Sequence, residues 1–242
     1  MIKITDLSVR YGEEAALDHV SLSIGSKTSC SIIGASGCGK TTLLLTLAGL
    51  LKPDTGAVEI NGDQLKGVRR STGLILQEYG LLPWKTVRDN VSFPLISRGY
   101  PRAEAVTRAA AVLKSLGLDE CAGKFPGELS GGQKQRVAIG RALALEPDLL
   151  LMDEASSSLD AITREHIQDL IYRICLDRQV TLVLATHSIE EAVFLGRTII
   201  VMKNGKIKKA IENPVFGKAG LRNDPDFYKM CAGVRGCLDE EA

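Results

Sequence analysis

The sequence has almost no net charge: 30 Lys plus Arg stand against 29 Asp plus Glu among 242 residues, a formal +1. So even a balance builds no strong field for a polyanion, and nucleic acid is not expected as a partner. Long apolar runs are missing too. The longest, TTLLLTLAGLL from Thr41 to Leu51, is about half of what a bilayer crossing needs. The N-terminal MIKITDLSVRYG alternates like a strand and lacks the apolar centre of a signal peptide. These two absences predict a chain that does not cross a membrane. None of the six cysteines (Cys30, Cys38, Cys121, Cys175, Cys231, Cys237) forms a C-x-x-C pair, and no histidine sits at metal-ligand spacing from them. Free thiols in a reducing cytosol are expected. A Cys231–Cys237 bridge, or a metal site completed by outside ligands, is the alternative. Internal repeats and low-complexity segments are absent. What remains, 45% hydrophobic and 24% charged, is the composition of a folded soluble protein. It is long enough for one large domain or a core with a subdomain.

Alternation predicts strands at 2–9 and 20–24 around a turn at Gly12, 28–34 reads as a buried-strand run, and 71–77, 148–153, 180–187 and AVEING are strand-like as well. The apolar stretch 40–51 reads as a helix, broken by KPDTG. TIIVMKNGKIKKAI reads as a hairpin turning at Asn204-Gly205. Between Val87 and Leu145 no strand appears and Ala/Leu/Arg periodicity dominates, with Pro101 at a helix start. The pattern is an α/β core interrupted by a helical insertion, with a short tail after about Asn213.

GASGCGKT (Gly34 to Thr41) matches G-x-x-x-x-G-K-[ST] in full and lies between a strand and a helix. Gly34, Gly37 and Gly39 let the backbone curl so that successive N–H groups face phosphate oxygens. Ala35, Ser36 and Cys38 complete the loop and Thr42 follows it; Cys38 reads as a small filler that would also make the site sensitive to thiol reagents. Lys40 places a positive charge by the β- and γ-phosphates, and the Thr41 hydroxyl ligates Mg²⁺. LLLMDE (149–154) supplies the acidic counterpart. A strand buried on both faces brings Asp153 to its C-terminal tip, where α/β sheets bind ligands. Asp153 is expected to hold Mg²⁺, through water, and Glu154 to orient or deprotonate a water attacking the γ-phosphate.

A second phosphate-facing helix start stands at LSGGQ (129–133). Ser130 with the N–H groups of Gly131 and Gly132 would cap the helix that begins there, and Gln133 closes the motif. A serine cap needs no glycine pair, so the two glycines suggest close approach to a ligand. One chain has no evident use for two such sites on one phosphate. Two copies, head to tail, would each offer this helix start to the γ-phosphate on the other's loop.

At these motifs the chain resembles the ATP-binding subunits of ABC transporters, over nearly all of residues 1–215. The resemblance implies a P-loop NTPase α/β core of the RecA type with a mainly parallel sheet, an antiparallel β subdomain, a helical signature subdomain at about 87–145, and a short tail at 216–242. It implies ATP and Mg²⁺ as cofactors and LSGGQ as the signature sequence of the nucleotide-sandwich dimer. It further implies that Tyr11 stacks on adenine, that Gln77 approaches Mg²⁺ and the attacking water, and that Asp160 of SSLD crosses the dimer interface. The resemblance likewise implies that His187, closing LVLATH, contacts the γ-phosphate. The stretch YGLLPWKTVRDNVSFPL (79–95) is similar to importer ATPases of the nitrate, sulfonate and taurine class. Leu82, Pro83 and Trp84 would then form an exposed patch for a short helix of a membrane permease subunit; packing of Trp84 inside the helical subdomain is the alternative. The resemblance implies a substrate-binding protein indirectly, and a location at the cytoplasmic face of the membrane.

Three departures stand out: Ala155 where the family usually has proline, Gln133 where this importer class often has Met, and Gly140 inside a helix. The glycine costs about 1 kcal/mol of local helix stability. Three further readings compete: a soluble ABC ATPase acting on nucleic acid or ribosomes, a regulatory module that closes on ATP without turnover, and an exporter cassette. The first lacks the expected extensions, and intact Lys40, Asp153, Glu154 and His187 oppose the second.

Overall fold

The structure, a computed structural model, describes residues 1–154 and 159–239. In chain order, β1 (Ile2–Tyr11), β2 (Glu14–Ile24) and β3 (Ser29–Ile33) precede α1 (Lys40–Leu47). Then come β4 (Thr55–Ile60), β5 (Asp63–Gln64) and β6 (Thr72–Ile75), followed by α2 (Val87–Ser97), α3 (Arg102–Ser115) and α4 (Gly131–Leu143). The chain returns to strands at β7 (Leu149–Asp153), then α5 (Ala161–Arg178), β8 (Thr181–Thr186), α6 (Ile189–Leu195), β9 (Thr198–Lys203), β10 (Lys206–Glu212) and α7 (Pro225–Asp239).

Two sheets result. The smaller is antiparallel in the order β2-β1-β4-β5. The larger runs β10-β9-β3-β8-β7-β6, parallel from β9 to β6, with β10 antiparallel at one edge. Its central strands β3, β7 and β8 are buried at every position, as continuous apolar runs covered on both faces require. Asn204 and Gly205, both at positive φ (49° and 74°), make the β9–β10 hairpin turn, the left-handed pair that a two-residue hairpin favours.

Between β6 and β7 the chain is helical, and Val91, Leu95, Ala105, Ala109, Leu113 and Val137 join α2, α3 and α4 in a buried cluster. Gly140 has its reason here. A Cβ at that position would lie 2.9 Å from Leu116 Cδ1 and 3.4 Å from Val112 Cγ1, so the glycine allows the close approach of the neighbouring segment and offsets its poor helix propensity.

Three elements differ from their sequence reading. The β1–β2 hairpin is longer than expected because Asp6 and His19 take positive φ and shift the register between Ile4 and Leu7; bulges break the alternation that marks strands. α1 stops at Leu47 because Gly49 (φ 72°) terminates it. The segment read as a tail folds into α7, whose Phe227 and Val234 are buried. All six cysteines are free, and no helix of the described residues is long and apolar enough to cross a membrane.

Candidate active site

Parallel register aligns the C-terminal ends of four strands. Ile33 of β3 pairs with Thr186 of β8, Asp153 of β7 with Ala185 of β8, and Ile75 of β6 with Met152 of β7. The residues just beyond these ends, Gly34–Thr41, His187, Glu154 and Gln77, therefore emerge along one edge of the sheet, where α/β folds bind ligands. Ser31 through Ile33 bring the loop there, and the fully buried strand gives it a fixed base.

The loop's glycines do two different things. Gly37 (φ 80°) and Gly39 (φ 105°) take left-handed conformations that side chains resist. Gly34 is not among the positive-φ residues; a Cβ there would lie 2.2 Å from the Met202 carbonyl oxygen. It is glycine because β9 passes against it. The β9–β10 turn also donates Gly205 N–H to the Cys38 carbonyl at 3.1 Å, so the hairpin buttresses the loop. Lys40 is buried, and its Nζ donates to the Gly34 and Ala35 carbonyls at 2.8 and 2.9 Å. Cys38 is buried beside it; desolvation pushes the thiol up more than Lys40 pulls it down. That environment disfavours the thiolate.

Asp153 is 5% exposed. Burial raises its carboxyl above the usual range, the Thr41 hydroxyl and Lys40 act to lower it, and Glu154 raises it further. A buried carboxylate hydrogen-bonded to a hydroxyl, with a second carboxylate next to it, is an oxygen donor set suited to a hard divalent cation. Among the described residues no group of three His, Cys, Asp or Glu could hold a metal alone. Thr41 and Asp153 are the residues that would hold Mg²⁺. Glu154 takes φ 45°, and its N–H donates to the Ala185 carbonyl at 2.9 Å. Its Oε2 lies 3.2 Å from Nδ1 of His187. Gln77 is exposed just past β6, and Tyr11 is 55% exposed at the end of β1. The return strand β2 passes the loop at Ala16, whose carbonyl oxygen would lie 2.3 Å from a Cβ on Gly39.

The second helix start is organised separately. Ser130 Oγ accepts from Gln133 N–H at 3.3 Å, and Gln133 Oε1 accepts from Ser130 N–H at 2.9 Å. This reciprocal capping box gives the glutamine a role that methionine, lacking the amide acceptor, would leave to water. Asp160 caps α5 by accepting from Thr163 N–H at 3.0 Å, and that N–H holds its carboxyl below the usual range. The glycine pair has an intrachain cause as well. A Cβ on Gly131 would lie 2.9 Å from Leu159 Cδ2, and one on Gly132 only 2.5 Å from Thr163 Cγ2. The close approach inferred from sequence is met by the start of α5. Ala155, the position where the family usually has proline, lies outside the described residues.

Sequence reasoning missed Arg141. Its guanidinium donates to the carbonyls of Tyr79 (2.7 Å) and Gly80, tying α4 to the segment after Gln77. Tyr79 and Gly80 both take positive φ; only the glycine gave a signal. Trp84 is 71% exposed, so packing inside the helical subdomain is ruled out. Pro83, Phe93 and Ile96 are exposed with it, Leu82 is half-buried, and Lys85 Nζ lies 5.1 Å from the Phe93 ring centre.

The ABC transporter family profile matches residues 17–157. The taurine import ATP-binding protein TauB of Rhizobium johnstonii is 43% identical over 237 residues, covering 96% of this chain and 87% of its own length. The spermidine/putrescine import ATP-binding protein PotA of Pseudomonas aeruginosa is 41% identical over 236 residues, covering 96% of this chain but 65% of its own length. Among solved structures, a dimeric ATP-binding cassette in a post-hydrolysis state bound to ADP and Pi superposes with a TM-score of 0.79 at 34% identity, over 88% of this chain and 98% of that one. A family profile that spans the loop, Asp153 and the signature helix, with a shared fold at that identity, settles the assignment: the chain belongs to the ABC transporter family, as one of its ATP-binding cassettes and an ATPase.

Proposed function

We propose that the chain is the ATP-hydrolysing subunit of an importer, working as a head-to-tail dimer on separate membrane permease subunits at the cytoplasmic face. The observation that carries this reading is the division of the site. Lys40, Thr41, Asp153, Glu154 and His187 gather at one sheet edge, whereas the Ser130 helix start is built against α5. Each copy would supply the half that its partner's nucleotide lacks. We take residues 1–215 as the ATP-binding unit, 87–145 as its helical insertion and 216–242 as an appended segment.

In this reading Tyr11 stacks on adenine and the loop from Gly34 to Thr42 cradles the phosphates. Lys40 exchanges its two loop carbonyls for phosphate oxygens, stabilising charge that develops in transfer. Thr41 and Asp153 would hold Mg²⁺, which would supply positive charge against the phosphate oxygens. Glu154 accepts the proton of the attacking water, with Gln77 orienting that water and His187 holding both the Glu154 carboxylate and the γ-phosphate. Ser130, Gly131, Gly132, Gln133 and Asp160 act on the nucleotide of the other copy. The relatives named for taurine import, together with Leu82-Pro83-Trp84, favour a sulfonate-like solute. The similarly identical spermidine/putrescine relative supports a second reading, a different import substrate.

Glu154→Gln tests the scheme. It should lower ATP hydrolysis by about a hundredfold or more and trap an ATP-bound dimer in light scattering. A variant that stays monomeric at saturating ATP would refute the shared site.

A further inference from the structure

His187 is more than half exposed on its side chain, yet the chain on both sides of it is pinned. Thr186, at the buried end of β8, accepts the Ser188 N–H on its Oγ1 at 3.0 Å and donates the same hydroxyl to Glu191 Oε2 at 2.5 Å. Ser188 Oγ in turn accepts the Glu191 N–H at 3.2 Å, capping α6. Residues 186, 188 and 191 thus form a closed ring of hydrogen bonds around the peptide that carries His187. Glu191 is only 2% exposed. A serine cap alone would finish the helix start; burying a carboxylate as well is costly and calls for another cause.

We propose that Glu191, acting through Thr186, is a positioning residue for His187. Its carboxylate orients the Thr186 hydroxyl, which then has one lone pair directed at Ser188 N–H. The turn is left with one geometry, and the imidazole is presented to Glu154 and to the γ-phosphate position from a fixed backbone. Small displacements of a catalytic group cost large factors in rate, so a residue that touches no substrate would be felt in turnover. The proposal rests on His187 serving ATP hydrolysis as described above.

The test is steady-state ATP hydrolysis by the full chain with Mg²⁺, comparing Thr186→Val, Thr186→Ser and His187→Ala singly, and Thr186→Val with His187→Ala together. Thr186→Val should lower kcat by about tenfold or more with KM for ATP within about twofold, and Thr186→Ser should stay near wild type. In the His187→Ala background Thr186→Val should have no further effect, since its route is already removed. Glu191→Met, near-isosteric and apolar, carries the same expectations should Thr186→Val fail to fold. Unchanged kcat in Thr186→Val, or an equal loss with and without His187, overturns the proposal. Wild-type turnover in His187→Ala would instead overturn the reading of the site on which it rests.

Discussion

The phosphate-loop edge and the start of α4 are both glycine-rich junctions before a helix, and they differ in what satisfies them. At the edge, groups from four strands converge and remain chemically exposed to one another: Asp153 is raised by burial, Glu154 meets His187 at 3.2 Å, and Lys40 lies over the loop. At α4, Ser130 and Gln133 satisfy each other and the glycines abut α5. A partly buried, charged cluster is poised for a ligand with compensating charge. A self-satisfied cap is a finished surface, suited to being offered whole to another molecule. The lesson concerns glycine: the same residue marks left-handed backbone at Gly37 and Gly39 but side-chain clearance at Gly34, Gly131 and Gly132.

The contrast can be sharpened first at Gly132. Gly132→Ala should destabilise the fold by about 1–3 kcal/mol in urea unfolding, the usual cost of overpacking, because of the 2.5 Å approach to Thr163 Cγ2. Adding Thr163→Ala should restore stability. If stability returns without ATP turnover, the glycine serves the partner's nucleotide as well; if stability does not return, the intrachain cause is wrong.

At the other junction, Asp153→Asn should abolish hydrolysis yet raise Tm at pH 7, because the asparagine removes a carboxyl that burial penalises when ionised. The sign follows from linkage. A carboxyl raised by folding binds its proton more tightly in the native state, so its penalty appears as pH rises past the unfolded value of 3.8. The gain of the asparagine variant should therefore vanish near pH 3.5. An unstable variant at pH 7 would contradict the burial penalty assigned to the Asp153 carboxylate. The smallest effect is expected away from both junctions. Trp84→Ala should leave basal hydrolysis within about twofold while reducing co-purification with membrane subunits. Unchanged co-purification would remove the docking role.

Much of this was legible in the sequence. Buried strands read as apolar runs, and β3, β7 and β8 fell where TSCSIIG, DLLLMD and VTLVLATH lie. The loop and the acidic strand end were visible because their chemistry requires those residue types after a strand; His187 was singled out by the family resemblance alone. Other features depend on contacts distant in sequence. Nothing near Gly34 announces the Met202 carbonyl, and nothing near Gly140 announces Leu116. α7 was missed for another reason. Phe227, Met230, Cys231, Val234, Cys237 and Leu238 have helical spacing and pack on the core, but Pro225, Gly233 and Gly236 weaken the pattern locally. Glu191 and Arg141 were overlooked because each acts through backbone or hydroxyl partners, which no spacing reveals.

The claim that each copy completes the other's site is tested most directly by mixing two inactive variants, Glu154→Gln and Ser130→Arg, after subunit exchange. A mixed dimer pairs the intact edge of one chain with the intact α4 start of the other. Recovery of about a quarter of the wild-type ATPase rate is expected, since half of the dimers are mixed and each has one complete site. A mixture as inactive as its components would contradict the shared site.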